Sequence, residues 1–186
     1  MRIVGGEFRG RALASPKSND IRPTSDRTRE SLFNILSHAY AEALDDTRVL
    51  DLFAGTGAVG LEALSRGCRQ GLFIEYSAEG RGLLRDNIEA FGLQGRAKVF
   101  RRDATDLGMV GTVEPFHLLF ADPPYGKGLG EKALSAAHAG GWLVPGAIAI
   151  LEERADITLR LDPAFAFLED RVFGETKMHF FRYRPL

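Results

Sequence analysis

Cysteine is nearly absent from this chain. Among 186 residues there is one, Cys68, so no internal disulfide can form, which suits a reducing cytosol. Cys68 reads as a small buried hydrophobe rather than a catalytic thiol. Long hydrophobic runs are also lacking. None approaches the ~18 residues needed to span a bilayer, and the opening Met-Arg-Ile-Val-Gly-Gly-Glu has no apolar signal-peptide core. A cytoplasmic protein without a membrane partner is expected. The four histidines, His38, His117, His138 and His179, show no ligand spacing, so no metal site is expected. Repeats and low-complexity segments are missing too. Net charge is only −1, which excludes a chain basic throughout. The charge is uneven, however. Residues 1–30 hold seven cations against four acids, a net of +3, leaving −4 on the rest. A basic arm on an acidic body points to a local nucleic-acid contact, although a solvated tail would look the same.

What is present is ordinary for a globular protein: 45% hydrophobic and 26% charged residues, enough for one large domain. Residues 1–23 read as irregular, with Arg2-Ile3-Val4 able to start a hairpin, within an N-terminal extension over 1–25. Thr24 or Ser25 can cap a helix beginning near Asp26, with an apolar face of Leu32, Ile35, Leu36, Ala39, Ala43 and Leu44. Strands are then expected at Val49–Phe53, Gly71–Glu75, Ala97–Arg101, Phe116–Ala121 and Ala147–Glu152. Helices are expected at Ala58–Arg66, Ala78–Phe91 and Leu129–Ala139. Two last strands, Phe165–Phe173 and Met178–Tyr183, turn at Gly174. Alternating strands and helices specify an α/β fold with a doubly wound, mostly parallel sheet, and the final pair adds an antiparallel hairpin at one edge. Trp142 is expected as packing beneath the fifth of these strands.

Chemistry concentrates in two places. The first is Asp51-Leu52-Phe53-Ala54-Gly55-Thr56-Gly57-Ala58-Val59-Gly60, whose glycines fit G-x-G-x-x-G between a strand and a helix. They permit a tight turn and close ligand approach. Glu75, at the next strand's end, can accept from both ribose hydroxyls of a bound nucleoside. This fits NAD as well as S-adenosylmethionine. Asp51 favours the latter, because a carboxylate near a pyrophosphate costs several kcal/mol, whereas S-adenosylmethionine carries an ammonium and a sulfonium. Asp103, after the third strand, can accept from an adenine amino group or cap a following helix. The second place is Asp122-Pro123-Pro124-Tyr125, after the apolar run Phe116–Ala121. The prolines lack N–H groups, so a carboxylate, carbonyl acceptors and a flat ring share one strand end. Such a corner can hold a planar base by its exocyclic amine. With Asp122 and the Pro123 carbonyl accepting its hydrogens, the nitrogen can pyramidalise and attack a methyl donor, while Tyr125 stacks on the base. Lys127 and Arg182 are as readily solvated as substrate-binding, and Ser31 and Ser65 have no base partner in sequence.

These residues resemble class I S-adenosylmethionine-dependent methyltransferases of the bacterial 16S rRNA (guanine(966)-N2)-methyltransferase (RsmD) type. Three blocks carry the resemblance: Arg2–Gly6 through Arg9-Gly10-Arg11; Ile21 to Asn34 (IRPTSDRTRESLFN); and Asp51–Leu64 with Asp122–Tyr125. The glycine loop is generic, and the Arg22–Asn34 block is specific. The match covers residues 2 to about 126. It implies a seven-stranded sheet, an RNA-facing extension over 1–25 and a methyltransferase domain over 26–186. It implies S-adenosylmethionine as cofactor, lined by Asp51, Phe53, Ala54, Gly55, Thr56, Gly57, Glu75, Tyr76, Asp103, Ala104 and Asp122. Asp122, Pro123, Pro124 and Tyr125 would be catalytic. Arg9, Arg11, Arg22, Thr24 and Arg27 would face RNA or close over the cofactor, and with Tyr125 would meet a 16S rRNA substrate within an assembling 30S particle; a monomer is expected. Ser77 departs from the family, which often has an acid there. Rival readings are an adenine-N6 DNA or RNA methyltransferase, an NAD-dependent oxidoreductase, and a non-enzymatic RNA-binding module.

Overall fold

The alternation from residue 48 onward folds as β1 (Arg48–Leu52), α2 (Ala58–Ser65), β2 (Gln70–Ile74), α3 (Ala78–Ala90), β3 (Ala97–Phe100), β4 (Phe116–Ala121), α4 (Leu129–Ala139), β5 (Leu143–Arg154), β6 (Phe165–Phe173) and β7 (Thr176–Tyr183). It follows α1 (Asp26–Ala39) and a 3-10 turn at Ala41–Ala43. The computed structural model describes residues 1–21 and 23–186. Arg22, expected on the substrate side, lies outside the described residues.

The strands form one seven-stranded sheet in the order β3-β2-β1-β4-β5-β7-β6. β1 to β5 are parallel, while β7 runs antiparallel to both β5 and β6. The central strands β1, β2, β4 and β5 are buried on both faces, as parallel sheets are, whereas the edge strand β6 is largely exposed or half-buried. On one face Leu32, Phe33, Leu61 and Leu84 pack with Val49, Phe73 and Phe120. On the other, Leu134 and Trp142 pack with Leu50, Leu72 and Leu119. Trp142 is wholly buried just before β5, and its Nε1 donates to the Gly108 carbonyl at 2.8 Å. Cys68 is buried as expected.

Most element ends fall within two residues of expectation, with two informative differences. β5 has twelve residues instead of six. Pro145 and Gly146 hid its start, which pairs with β4 through a register shift between Phe116 and Leu118, the kind of irregularity where a strand tolerates proline. Pairing with β7 carries its end to Arg154. The helix α1 stops at Ala39, so Ala43 and Leu44 are buried from the following turn rather than from the helix, and Ala39 is exposed. Its inward face carries Phe33 and, unexpectedly, Arg29. Ser25 is the cap, accepting from Thr28 N at 3.1 Å.

The N-terminal segment is tied to the body. Residues 1–13 make a small hairpin, bridged at Arg2 and Ala12, and Ile3, Phe8 and Leu13 join the core. Beneath it lies an ionic knot with no solvent exposure at its centre. Glu62 receives Arg29 Nε at 3.2 Å, Arg66 Nε at 2.9 Å, and the amides of Val4 and Gly5 at 3.0 Å each.

Candidate active site

The strand order reverses between β1 and β4, because β1 leads to β2 on one side while β4 flanks it on the other. Open α/β sheets bind ligands outside the strand ends at such a switch point. Here the strand tips surround a cleft of about 680 Å³, within the ~300–1,000 Å³ typical of small-molecule sites.

One wall is the glycine loop. β1 ends at Leu52, and Phe53, expected to be its last strand residue, instead turns at φ +55°. A non-glycine residue in that region is uncommon and marks the sharp exit from the strand. Phe53, Ala54, Gly55 and Thr56 line the cleft. Gly57 does not; it caps α2 from behind at φ +80°, where an added Cβ would lie 2.1 Å from Leu84 Cδ2. Glu75 holds this wall in place. Its Oε1 accepts from Gly55 N at 2.7 Å and its Oε2 from Ser77 N at 2.9 Å, which leaves one lone pair on each oxygen for a ligand. Ser77 has its own task as the cap of α3, accepting from Gly80 N at 3.0 Å.

Asp51 lies at the cleft floor, 2% exposed, and accepts from Gly60 N at 3.0 Å. Burial pushes its carboxyl well above the ordinary range, and the charge of Glu75 adds to the shift. A cation placed here would pull it back down. Asp103, Ala104 and the exposed Tyr76 line the far end. Asp103 caps a turn rather than a helix. Its Oδ1 accepts from Thr105 N and Oγ1 at 2.8 and 2.7 Å, which holds the carboxyl below its usual value. Its Oδ2 takes no hydrogen bond among the described residues.

The opposite wall is the corner after β4. Asp122, Pro123, Pro124 and Tyr125 all line the cleft, so both sequence motifs share one cavity. Tyr125 Oη donates to Glu152 Oε1 at 3.0 Å, and Gly126 N to Glu153 Oε1 at 2.9 Å.

A strap formed by residues 14–21 and 23–24 lies at the mouth. Ala14 N donates to Asn87 Oδ1, while Asn87 Nδ2 donates to the Thr56 carbonyl of the glycine loop. Glu79 Oε1 accepts from Lys17 N and Ser18 N at 2.9 and 3.0 Å, and its Oε2 from Ser18 Oγ at 2.6 Å. Asn19, Asp20, Ile21, Pro23 and Thr24 then line the cleft.

The structure does not bring Arg9, Arg11 and Arg27 into the cavity. Arg27 is exposed on the first turn of α1. The hairpin carrying Arg9 and Arg11 sits at the C-terminal ends of α2 and α3, away from the strand tips. Glu7 N donates to the Ser65 carbonyl, and Arg11 stacks on Phe91 at 4.7 Å while donating to the Ala90 carbonyl. Ser65 Oγ bonds within this contact, and Arg182 reaches Glu42 and the Gly146 carbonyl. Sequence reasoning missed Glu79, Asn87, Glu152 and Glu153. The last two were visible as paired carboxylates closing the apolar run Ala147–Leu151, on the same rim as the site. Among the described residues no group of three or more His, Cys, Asp or Glu could hold a metal, and no helix is long and apolar enough to cross a membrane.

The family model described as conserved hypothetical protein 95 matches residues 1–182. The chain is 37% identical over 177 residues to the ribosomal RNA small subunit methyltransferase D of Escherichia coli K12, covering 94% of this chain and 86% of that protein. Among solved structures it is similar to a putative methyltransferase, yhhF, from Escherichia coli, with TM-score 0.85, 31% identity and coverage of 100% and 99% of the two chains. An RNA methyltransferase from Salinibacter ruber in complex with S-adenosyl-L-homocysteine shares the fold, with TM-score 0.66, 12% identity and coverage of 89% and 95%.

Proposed function

We infer that this chain, which belongs to the conserved hypothetical protein 95 family, is an S-adenosylmethionine-dependent rRNA methyltransferase acting on the exocyclic N2 of a guanine, guanine(966), in 16S rRNA of the small ribosomal subunit. The observation that carries this reading is the single cleft in which a nucleoside-binding wall faces an amine-binding corner. The relatives' activity on small-subunit rRNA supports it. A partly assembled small-subunit particle is the substrate form we favour, met in the cytoplasm by a monomer.

The residues present fit the donor. Gly55 keeps its loop open at φ +57°, where a Cβ would crowd Ile21 at 3.2 Å. Glu75 offers spare lone pairs to the ribose hydroxyls, and Asp103 Oδ2 is available to the adenine amine. Asp51 offers a buried negative site to the cationic methionine end, where a pyrophosphate would be repelled. When bound, S-adenosylmethionine supplies an electrophilic methyl group on a sulfonium. The protein does the rest by placement.

At the corner, Asp122 and the Pro123 carbonyl accept the two amine hydrogens, so the nitrogen lone pair leaves conjugation with the ring. Tyr125 stacks on the base, contributing about 1–3 kcal/mol. When nitrogen gains carbon it must shed one proton, and Asp122 is the base that receives it. The strap and the glycine loop keep water from the floor.

The test is transfer of tritiated methyl to unmethylated small-subunit particles and to naked 16S rRNA, followed by nucleoside digestion. Label in N2-methylguanosine, stronger from particles, is expected. Label in N6-methyladenosine would replace this reading with the adenine rival.

A further inference from the structure

Two consecutive carboxylates at the end of β5 have no part in holding the donor. Glu152 is 6% exposed and Glu153 3%. Burying carboxylates is costly unless bonds compensate, so their partners are informative. Successive strand residues project to opposite faces of a sheet. Glu152 thus reaches the corner from the α1 face, and Glu153 from the α4 face. Both grip its exit: Tyr125 Oη donates to Glu152 Oε1 at 3.0 Å, and Gly126 N donates to Glu153 Oε1 at 2.9 Å.

The corner needs outside support. Pro123 and Pro124 contribute no N–H, so two successive residues cannot donate to a neighbouring strand. On the α4 side Pro123 lies close over Gly130, where an added Cβ would come within 3.2 Å of Pro123 Cγ. Glu153 Oε1 also accepts from Arg154 N at 2.8 Å, which fixes the carboxylate before it meets the corner.

We propose that Glu152 and Glu153 are positioning residues for the base pocket. Glu152 sets the plane of the Tyr125 ring through its hydroxyl, and Glu153 sets the main chain at Gly126. Together they hold the ring and Asp122 at a spacing that admits one planar base. This rests on the methyltransferase reading above, since it assigns Tyr125 to the base.

A double-mutant cycle tests the ring anchor. Tyr125→Phe and Glu152→Ala should each slow single-turnover transfer to small-subunit particles about tenfold, the worth of a hydrogen bond to a charged group. Glu152→Gln, which keeps an acceptor, should recover most of the rate. Calorimetric affinity for S-adenosylmethionine should be unchanged throughout. Combining Tyr125→Phe with Glu152→Ala should cost no more than either alone. A hundredfold loss in the double variant, or an equal loss of donor affinity, overturns the ring anchor. The main-chain anchor has a readout independent of chemistry: amide exchange at Gly126 should accelerate at least tenfold in Glu153→Ala and much less in Glu153→Gln, and unchanged exchange overturns it. Wild-type protein that labels no rRNA would sink the functional reading instead, while the exchange result still decides the Glu153 anchor.

Discussion

Glu75 allows the donor wall to be tested by a near-isosteric change. In Glu75→Gln the side chain keeps its length, but one acceptor oxygen becomes an NH2 group. The two oxygens accept from Gly55 N at 2.7 Å and Ser77 N at 2.9 Å, so the new amide must confront one of these donors with another donor. One backbone bond is lost whichever way it flips, and the ribose side loses its charged acceptor. A hydrogen bond to a charged group contributes about 1.5–3 kcal/mol. At 1.4 kcal/mol per decade this weakens donor binding about 10- to 150-fold. Glu75→Ala should do at least as much, because it frees the Gly55 amide and slackens the loop. Isothermal titration with S-adenosylmethionine reads the effect directly, with thermal melts to show the fold intact. Affinity within twofold of wild type in a well-folded Glu75→Gln protein would refute the ribose contact.

Asp51 carries a pH signature. Its carboxyl is raised by burial, so the native state holds this proton more tightly than the unfolded chain, and the group's contribution to stability falls as pH rises from the ordinary aspartate range through its folded value. Asp51→Asn should therefore flatten the fall in stability above about pH 4 while weakening donor binding; an unchanged pH slope would contradict the assignment. Glu62→Gln removes the buried carboxylate shared by Arg29 and Arg66 while Arg29 keeps Asp26 and the Thr24 and Arg2 carbonyls, and should lower unfolding free energy by about 1–3 kcal/mol in urea titration; a loss below about 0.5 kcal/mol would show the knot to be dispensable. Glu79→Ala removes the three bonds holding Lys17 and Ser18. Faster tryptic cleavage at Lys17 and faster donor release are expected, and wild-type rates for both would mean the strap is held elsewhere.

The fold was legible because α/β periodicity is written locally. The run Phe116–Ala121 is a strand with those same ends, and α4 and β6 also begin and end where the pattern says. The β5 start was not legible, since Pro145 and Gly146 read as breakers until β4 supplies the irregular pairing that accommodates them. The two motifs were legible as chemistry because strand tips must converge at the switch point, and the cleft unites them. What the sequence could not show is side-chain reach. Arg9 and Arg11 look like an RNA arm in a charge count, yet Phe8 is buried and Arg11 is stacked on Phe91 at the far end of the sheet. Arg29 looks like another surface cation of that arm, but Glu62, 33 residues away, draws it inside. Glu79 and Asn87 looked like routine helix residues because the strap they hold is distant in sequence.

The most direct test of one cleft serving both donor and amine is Asp122→Asn, assayed on both sides of the site at once. Asparagine keeps the shape of the corner but cannot take the amine's proton. Single-turnover methyl transfer to small-subunit particles should fall about 10²–10⁴-fold, with S-adenosylmethionine affinity within a few-fold of wild type. Transfer at the wild-type rate would contradict it.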